Sequence, residues 1–275
     1  MLAVLTMRFL FRRRVTVQFA VQSIVWGKEV EKLEEMLCEI CEAGYQGVEL
    51  FQDFAERSCG GPAGVYRAFE ACGLTLVGVS STSLAERIRF VREYCDLLGV
   101  SPSDPVAPYV YADEWNECCV DALRQGLRIG LHPHMFRPIQ TMQEAAAILK
   151  EFGVERYPRL QLLPDTAHLT IAGDDPVAAV KEYLPRMGAI HVKDWIPNVG
   201  RSYQFYASGF CALGTGDVKL GSVLDVLWKR QFKGWIVVEH DYSPAPSERV
   251  KSSMDWLHSV LPPTVWGDLC PAVRG

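Results

Sequence analysis

Short apolar runs alternate with longer stretches of helical spacing along almost the whole chain, beginning at residue 15. Residues 15–26 are rich in β-branched and apolar side chains and read as a strand. Residues 28–43 place Val30, Leu33, Met36, Leu37 and Ile40 at helical spacing among Glu and Lys, with Gly44 as the stop. The unit then recurs as strand 46–50 with helix 62–72 before Gly73, and strand 74–80 with helix 84–98 before Gly99. The fourth strand is the weakest, because residues 101–111 hold three prolines and only 106–111 look extended. Helix 112–125 follows it. Strand 127–131 with helix 142–152, strand 160–163 with helix 175–184, strand 188–192 with helix 220–230, and strand 235–238 with helix 247–260 restore the rhythm.

Short, continuously apolar strands belong to parallel sheets covered on both faces. Eight such strand–helix units predict a single-domain α/β fold, the (β/α)8 TIM barrel, over residues 15–260. A doubly wound open sheet is the competitor, disfavoured because no Gly-rich phosphate loop follows the first strand. Residues 1–14 are expected to be a mobile leader and 261–275 a C-terminal tail. One connection, residues 195–217, is long and carries Tyr203, Phe205, Tyr206 and Phe210. Long ordered loops at a barrel mouth serve as lids or substrate walls, and that is the expectation here.

Composition narrows the partners. Of 275 residues, 49% are apolar, enough for one sizeable core, and the net charge is −5. No basic face stands out, so a nucleic-acid partner is not expected and a small polar substrate is. Nine cysteines are scattered. Cys38 and Cys41 form a CxxC inside a helical run, Cys118 and Cys119 are adjacent in another, and no second CxxC completes a zinc ribbon. They read as ordinary reduced intracellular thiols. In residues 1–14 the arginines mostly follow the apolar stretch, the wrong order for a secretory signal, and the stretch is too short to span a membrane. A cytoplasmic protein without a membrane partner is expected. An organelle-targeting peptide, or a start at Met7, are the alternatives for the leader, and self-association into a homo-oligomer is compatible with the chain.

Five of the six histidines lie between residues 132 and 240, each at or just past the end of an apolar run. In a parallel barrel the strand C-termini meet on one face, so these imidazoles and the nearby carboxylates are brought together. Asp165 ends the sixth strand, with His168 three residues on. His191 lies in the seventh strand, and Lys193 shares its face by the period of two. Glu239 follows W-I-V-V and needs a metal or lysine partner if buried. His132 and His134 flank Pro133, and Glu49 ends the second strand facing the same mouth. The plain alternatives are a turn-capping Asp165, structural ion pairs at Glu49 and Glu239, and core histidines. Mixed imidazole and carboxylate donors suit Mn, Co, Zn or Fe(II), and the absence of thiolates argues against a structural zinc. His258, in the last helix, reads as surface.

The ordered segments G44-Y-Q-G-V-E-L50, H132-P-H, D165-T-A-H, A172-G-D-D-P, H191-V-K-D, L213-G-T-G-D217 and G234-W-I-V-V-E239 together resemble the xylose-isomerase-like barrels. That superfamily includes sugar-phosphate isomerases/epimerases, hydroxypyruvate isomerase, ketose 3-epimerases and inosose dehydratase. The resemblance implies a divalent metal, Mn or Co first and Zn, Mg or Fe as alternatives, held by His132, Asp165, His191 and Glu239. It also places His168 and Lys193 near the substrate. With the strand-end reading, Glu239, His168 and Lys193 are the catalytic candidates, and Glu49, His134 and His168 the substrate-binding ones. The epimerases usually carry a glutamate at the end of strand five, where this chain has His132. The H-P-H-M wording and the segment S208-G-F-C-A-L-G-T-G-D217 look more like the inosose dehydratase branch. The expectation is therefore a metal-dependent enzyme acting on a polyol-derived ketone, a keto-sugar or cyclitol, by deprotonation next to the carbonyl, with a lean to dehydration. Sugar isomerisation or epimerisation, and a lapsed barrel that only binds ligand, are the alternatives.

Overall fold

Eight parallel strands form the barrel, and each is followed by at least one helix. The computed structural model describes residues 17–27, 32–51, 60–80, 83–152, 155–198 and 202–266. The strands are β1 (Gln18–Gln22), β2 (Gly47–Phe51), β3 (Thr75–Ser80), β4 (Tyr109–Ala112), β5 (Arg128–Leu131), β6 (Leu160–Leu162), β7 (Ala189–Val192) and β8 (Trp235–Val238). They bond in the order β6-β5-β4-β3-β2-β1-β8-β7. The seam between β6 and β7 is closed by parallel bridges Leu162–Met187 and Asp165–His191. The amides of Gly188 and His191 donate there to Leu162 O at 3.0 Å and Pro164 O at 2.8 Å. Barrel closure thus brings two of the candidate site residues side by side.

Among the described residues the helices are α1 (Leu33–Glu42), α2 (Gly61–Cys72), α3 (Leu84–Leu98), α4 (Glu117–Arg124), α5 (Met142–Phe152), α6 (Thr166–Ala172), α7 (Pro176–Tyr183), α8 (Tyr203–Ala207), α9 (Leu220–Lys229) and α10 (Pro246–Val260). Their apolar faces, such as Leu33, Leu37 and Ile40 of α1, bury against the outer face of the strands. Signals at the ends are local. Ser83 and Glu86 form a reciprocal capping box at the start of α3, and Gly99 ends that helix at φ 68°.

A second, smaller apolar cluster fills the barrel itself: Ala20, Val77, Tyr109, Tyr111, Leu163, Ala189 and Val237. Large side chains there are accommodated by glycines on neighbouring strands, Tyr111 against Gly78 and Leu163 against Gly130. At the base, Tyr109 donates to Gln161 Oε1 at 2.6 Å and lies under the Arg128 guanidinium, 3.9 Å from its ring centre. A Cβ on Gly188 would overlap the Tyr109 hydroxyl and stand 2.7 Å from Gln161 Oε1. Both neighbours are pinned, so Gly188→Ala is expected to cost about 1–3 kcal/mol of stability by overpacking. Thermal unfolding checks this, and an unchanged midpoint would contradict it.

Several boundaries differ from the sequence expectation. β1 ends at Gln22, and Ser23–Trp26 turn into a 3-10 helix. The prolines of 101–108 precede β4 rather than interrupt it, and Ala112 still pairs with Leu131. The helix expected from 112 therefore starts only at Glu117, where the Asn116 side chain accepts from the Cys118 amide at 2.9 Å. D-T-A-H, for which a turn-capping Asp165 was the plain alternative, opens α6 instead. The long connection contains α8 and a two-stranded antiparallel ribbon, Asp194–Trp195 with Phe210–Cys211. Residues 1–14, the expected leader, lie outside the described residues. The expected tail begins inside the fold: Leu261 and Val265 are buried, and Trp266 stacks on Phe19 at 5.0 Å. His258 is exposed, as expected, and stacks on Trp266. Among the described residues no helix is long and apolar enough to cross a membrane.

Candidate active site

Strand alternation sends every second side chain into the barrel. The uppermost inward positions carry Gln22, Glu49, Tyr111, His132, Asp165, His191, Lys193 and Glu239, all buried. His168, on α6, and His134 stand beside this chamber, whereas His240, expected with the other imidazoles, turns away from it and its Nε2 lies 2.8 Å from Ser253 Oγ on α10. The His134 and His168 rings lie against each other at a tilt of 41°, ring centres 3.8 Å apart.

His191 lies at the centre of the ion-pair network. Its Nε2 is 2.6 Å from Glu49 Oε2 and 3.2 Å from the Tyr111 hydroxyl, and its Nδ1 bonds Glu239 Oε2. Burial works against a charge on this ring, but Glu49 and Glu239 outweigh it and raise the imidazole to about 10. Burial likewise opposes the charge on Glu239, yet Lys193 and His191 hold its carboxyl well below the usual range. Lys193 Nζ donates to Glu239 Oε1 and to Asp241 Oδ1, both at 2.7 Å, and sits 3.8 Å over the Phe210 ring. Gln22 Nε2 donates to Glu49 Oε1 at 3.0 Å and Glu239 Oε2 at 3.3 Å, which leaves Gln22 Oε1 buried without a partner.

The two oxygens of Asp165 have different surroundings. Its Oδ1 caps α6 by accepting from the His168 amide at 2.7 Å, so the capping alternative is correct as far as it goes. Its Oδ2 is buried with no hydrogen-bond partner, 3.9 Å from His191 Nδ1. Burial, then Glu239, raise Asp165 to about 7. Neither ring nitrogen of the buried His168 has a partner. Burial, then His134, push this imidazole well below its ordinary value, so it is neutral. His132 and His134 are each lowered to about 4, by burial first and a neighbouring imidazole second. His132 Nδ1 is 2.7 Å from the Leu163 carbonyl. A carbonyl only accepts, so Nδ1 carries the proton and Nε2 keeps its lone pair.

Ligating atoms of Asp165, His168 and Glu239 lie within 4.8 Å of one another, a cluster able to hold a metal ion. The electrostatics suit a cation. Three buried carboxylates (Glu49, Asp165, Glu239) face two buried basic groups (His191, Lys193). Of the four ligands implied by the resemblance, Asp165 and Glu239 belong to this cluster. His191 is engaged by carboxylates at both nitrogens, and the His132 ring is 4.7 Å from it.

The long connection lies over these strand ends. Phe210 covers Lys193 and meets His168 edge-on at 5.7 Å, while Tyr206 packs between Trp195 and Phe136 at 6.3 and 5.8 Å. Phe205 is exposed. The buried Asp194 ties the connection down, accepting from the amides of Trp195, Gly214, Gly216 and Val218 at 2.8–3.2 Å. The L-G-T-G-D segment thus wraps a carboxylate of this chain. Gln22, Tyr111 and Asp241 were missed as site residues. The signal was present for each: Gln22 is in phase with Ala20, Tyr111 with Tyr109, and Asp241 with Glu239.

Comparison with known proteins agrees with the barrel fold. The family model described as xylose isomerase-like TIM barrel matches residues 98–260. The inosose dehydratase of Lactiplantibacillus plantarum is 27% identical over 263 residues, covering 80% of this chain and 84% of the relative. That of Bacillus thuringiensis (strain Al Hakam) is 30% identical over 154 residues, so that about half of each chain is matched. The probable 3-DHS dehydratase of petrobactin synthesis from Bacillus anthracis superposes with a TM-score of 0.67 at 14% identity, over 88% of this chain and 99% of that one. A D-allulose 3-epimerase from Methylomonas sp. gives 0.63 at 16%, over 90% and 98%. At such identities the likeness concerns the fold. Taken with the ordered strand-end residues, the match over more than half the sequence establishes that the chain belongs to the xylose isomerase-like TIM-barrel family.

Proposed function

We propose that this protein is a divalent-metal-dependent enzyme that dehydrates a cyclitol-derived ketone of the inosose type. The observation that carries the reading is the buried, unpartnered Asp165 Oδ2 gathered beside Glu239, with the unengaged imidazole of His168 next to both as a proton acceptor. The relatives named inosose dehydratase support the substrate class. Asp165 and Glu239 would hold the ion with His132, whose Nε2 lone pair is fixed by the Nδ1–Leu163 bond, and with His191 once it has given up a proton. When bound, such an ion polarises the substrate carbonyl and acidifies the neighbouring C–H.

The chain's own groups divide the proton work. Both oxygens of Glu239 are engaged, Oε1 by Lys193 and Oε2 by His191 and Gln22. His168 is neutral with its ring nitrogens unengaged, so we assign it the proton next to the carbonyl. Lys193 is the ammonium placed to protonate a departing β-hydroxyl, which leaves as water. Gln22 Oε1, Glu49 and His134 are placed to accept from substrate hydroxyls. The Phe210 ring excludes water above Lys193.

The second reading, two-faced proton transfer as in a ketose epimerase, is weakened by His132. A ligating imidazole has no free carboxylate oxygen with which to shuttle a proton. The expected result is an absorbing enone or dione product from an inosose, with slow or absent epimerisation of free ketoses. His132→Glu is expected to add measurable hydrogen exchange at a ketose carbon. Rapid ketose epimerisation by the wild-type protein, with solvent deuterium entering at the epimerised carbon, would overturn the assignment.

A further inference from the structure

The helical CxxC is not used by the site, and the fold adds a third thiol to it. Cys38 and Cys41 are exposed on α1, and α2 packs alongside with Cys72 at its last turn. Cys38 Sγ and Cys72 Sγ stand 3.9 Å apart. We propose that Cys38 and Cys72 form a reversible intramolecular disulfide between α1 and α2, with a hydroperoxide as the oxidant.

Geometry selects this pair over the CxxC. Residues three apart on a helix hold their Cβ atoms about 5–6 Å apart. A disulfide needs roughly 3.5–4.5 Å, so Cys38 and Cys41 could join only by unwinding α1. Cys38 and Cys72 sit on different helices with their sulfurs already in contact, and rotation about side-chain bonds closes the remaining gap.

The two sulfurs have distinct parts. Burial, and then the hydrogen bond with Cys38, push the half-buried Cys72 thiol up to about 11. Cys72 therefore keeps its proton, and the more exposed Cys38 is the nucleophile. Cys38 sulfur attacks one peroxide oxygen, the O–O bond breaks, and Cys38 sulfenic acid and water (an alcohol from an alkyl hydroperoxide) form. Cys72 sulfur then attacks the sulfenic sulfur, the S–O bond breaks, the S–S bond forms, and water leaves. Two thiols are oxidised by two electrons and one peroxide is reduced. The bond closes a span of 34 residues that includes β2 and Glu49.

The test treats the full-length protein with hydrogen peroxide, followed by thiol counting and peptide mapping. Wild type is expected to lose two thiols per chain, to link Cys38 to Cys72, and to recover both with dithiothreitol. Its melting temperature should rise by several degrees on oxidation, because the cross-link restricts the unfolded chain. Cys41→Ser should behave like wild type. Cys72→Ser should show no rise and should leave a Cys38 sulfenic acid that dimedone traps. Pairing of Cys38 or Cys72 with any other cysteine, links between chains, or no thiol loss at either position would overturn the proposal.

Discussion

Asp165→Asn is expected to purify without stoichiometric divalent metal and to lose turnover by about 10³-fold or more. The figure follows from the several kcal/mol of charge stabilisation that an ion supplies, at 1.36 kcal/mol per factor of ten. The variant isolates the effect cleanly. Asn is as good a cap as Asp, so the bond from the His168 amide survives and α6 should form as before. Only the unpartnered Oδ2, which makes no hydrogen bond in the fold, changes its chemistry. Glu239→Gln should be equally inactive but also less stable, because Lys193 and His191 lose the carboxylate that compensates them. Breaking a buried pair on one side costs about 3–5 kcal/mol. The same groups set the pH dependence of metal uptake. Asp165, raised to about 7, and His191, raised to about 10, must release protons before they can ligate. Uptake should weaken as pH falls, first through about 10 with His191 and again through about 7 with Asp165, and should release protons in an unbuffered titration. Metal analysis, turnover and melting curves decide the matter. Wild-type turnover that survives thorough chelation, with no metal detected, would end this reading.

Much of the barrel was legible because each of its signals is local. Glycines stop α2 and α3, and β5 to β8 are short apolar runs whose ends differ from expectation by a residue or less. The fourth strand read weakly for a reason the structure makes plain. Its prolines lie in the turn before it, and its length is only four residues. α6 was missed because strand-end polar residues and a helix N-terminus share one sequence: Asp, Thr and His suit either a turn or a first helical turn. The inward positions of Glu49, Asp165, His191 and Glu239 followed from alternation alone. What alternation does not supply is pairing across the barrel. That His191 bridges Glu49 and Glu239, 142 and 48 residues away, depends on closure of the sheet. That Lys193 lies between Glu239 and Asp241 depends on β7 and β8 being neighbours. Nor does the sequence separate the two oxygens of Asp165, one capping and one unpartnered, although that separation is what makes the residue a ligand candidate.

His168→Asn should separate proton transfer from metal binding. The imidazole makes no hydrogen bond to the protein, so its loss leaves no donor or acceptor stranded. Its packing partners are the His134 face and the Phe210 edge, and an amide of smaller volume can occupy the same pocket. The melting temperature should therefore move by only a few degrees. If His168 takes the proton next to the carbonyl, turnover should fall by roughly 10²–10⁴-fold, the usual contribution of a positioned acid–base group. Metal content should remain stoichiometric, because His132, Asp165, His191 and Glu239 are untouched. Exchange of the substrate α-hydrogen with deuterated solvent should disappear in parallel with water loss, which places the defect before elimination. Lys193→Met offers the contrast: exchange should persist while water loss slows, with a lower melting temperature because Glu239 and Asp241 lose their shared ammonium. If His168→Asn instead emptied the metal site, His168 would be a ligand in the set with Asp165 and Glu239, and Glu239 or Lys193 would have to supply the base.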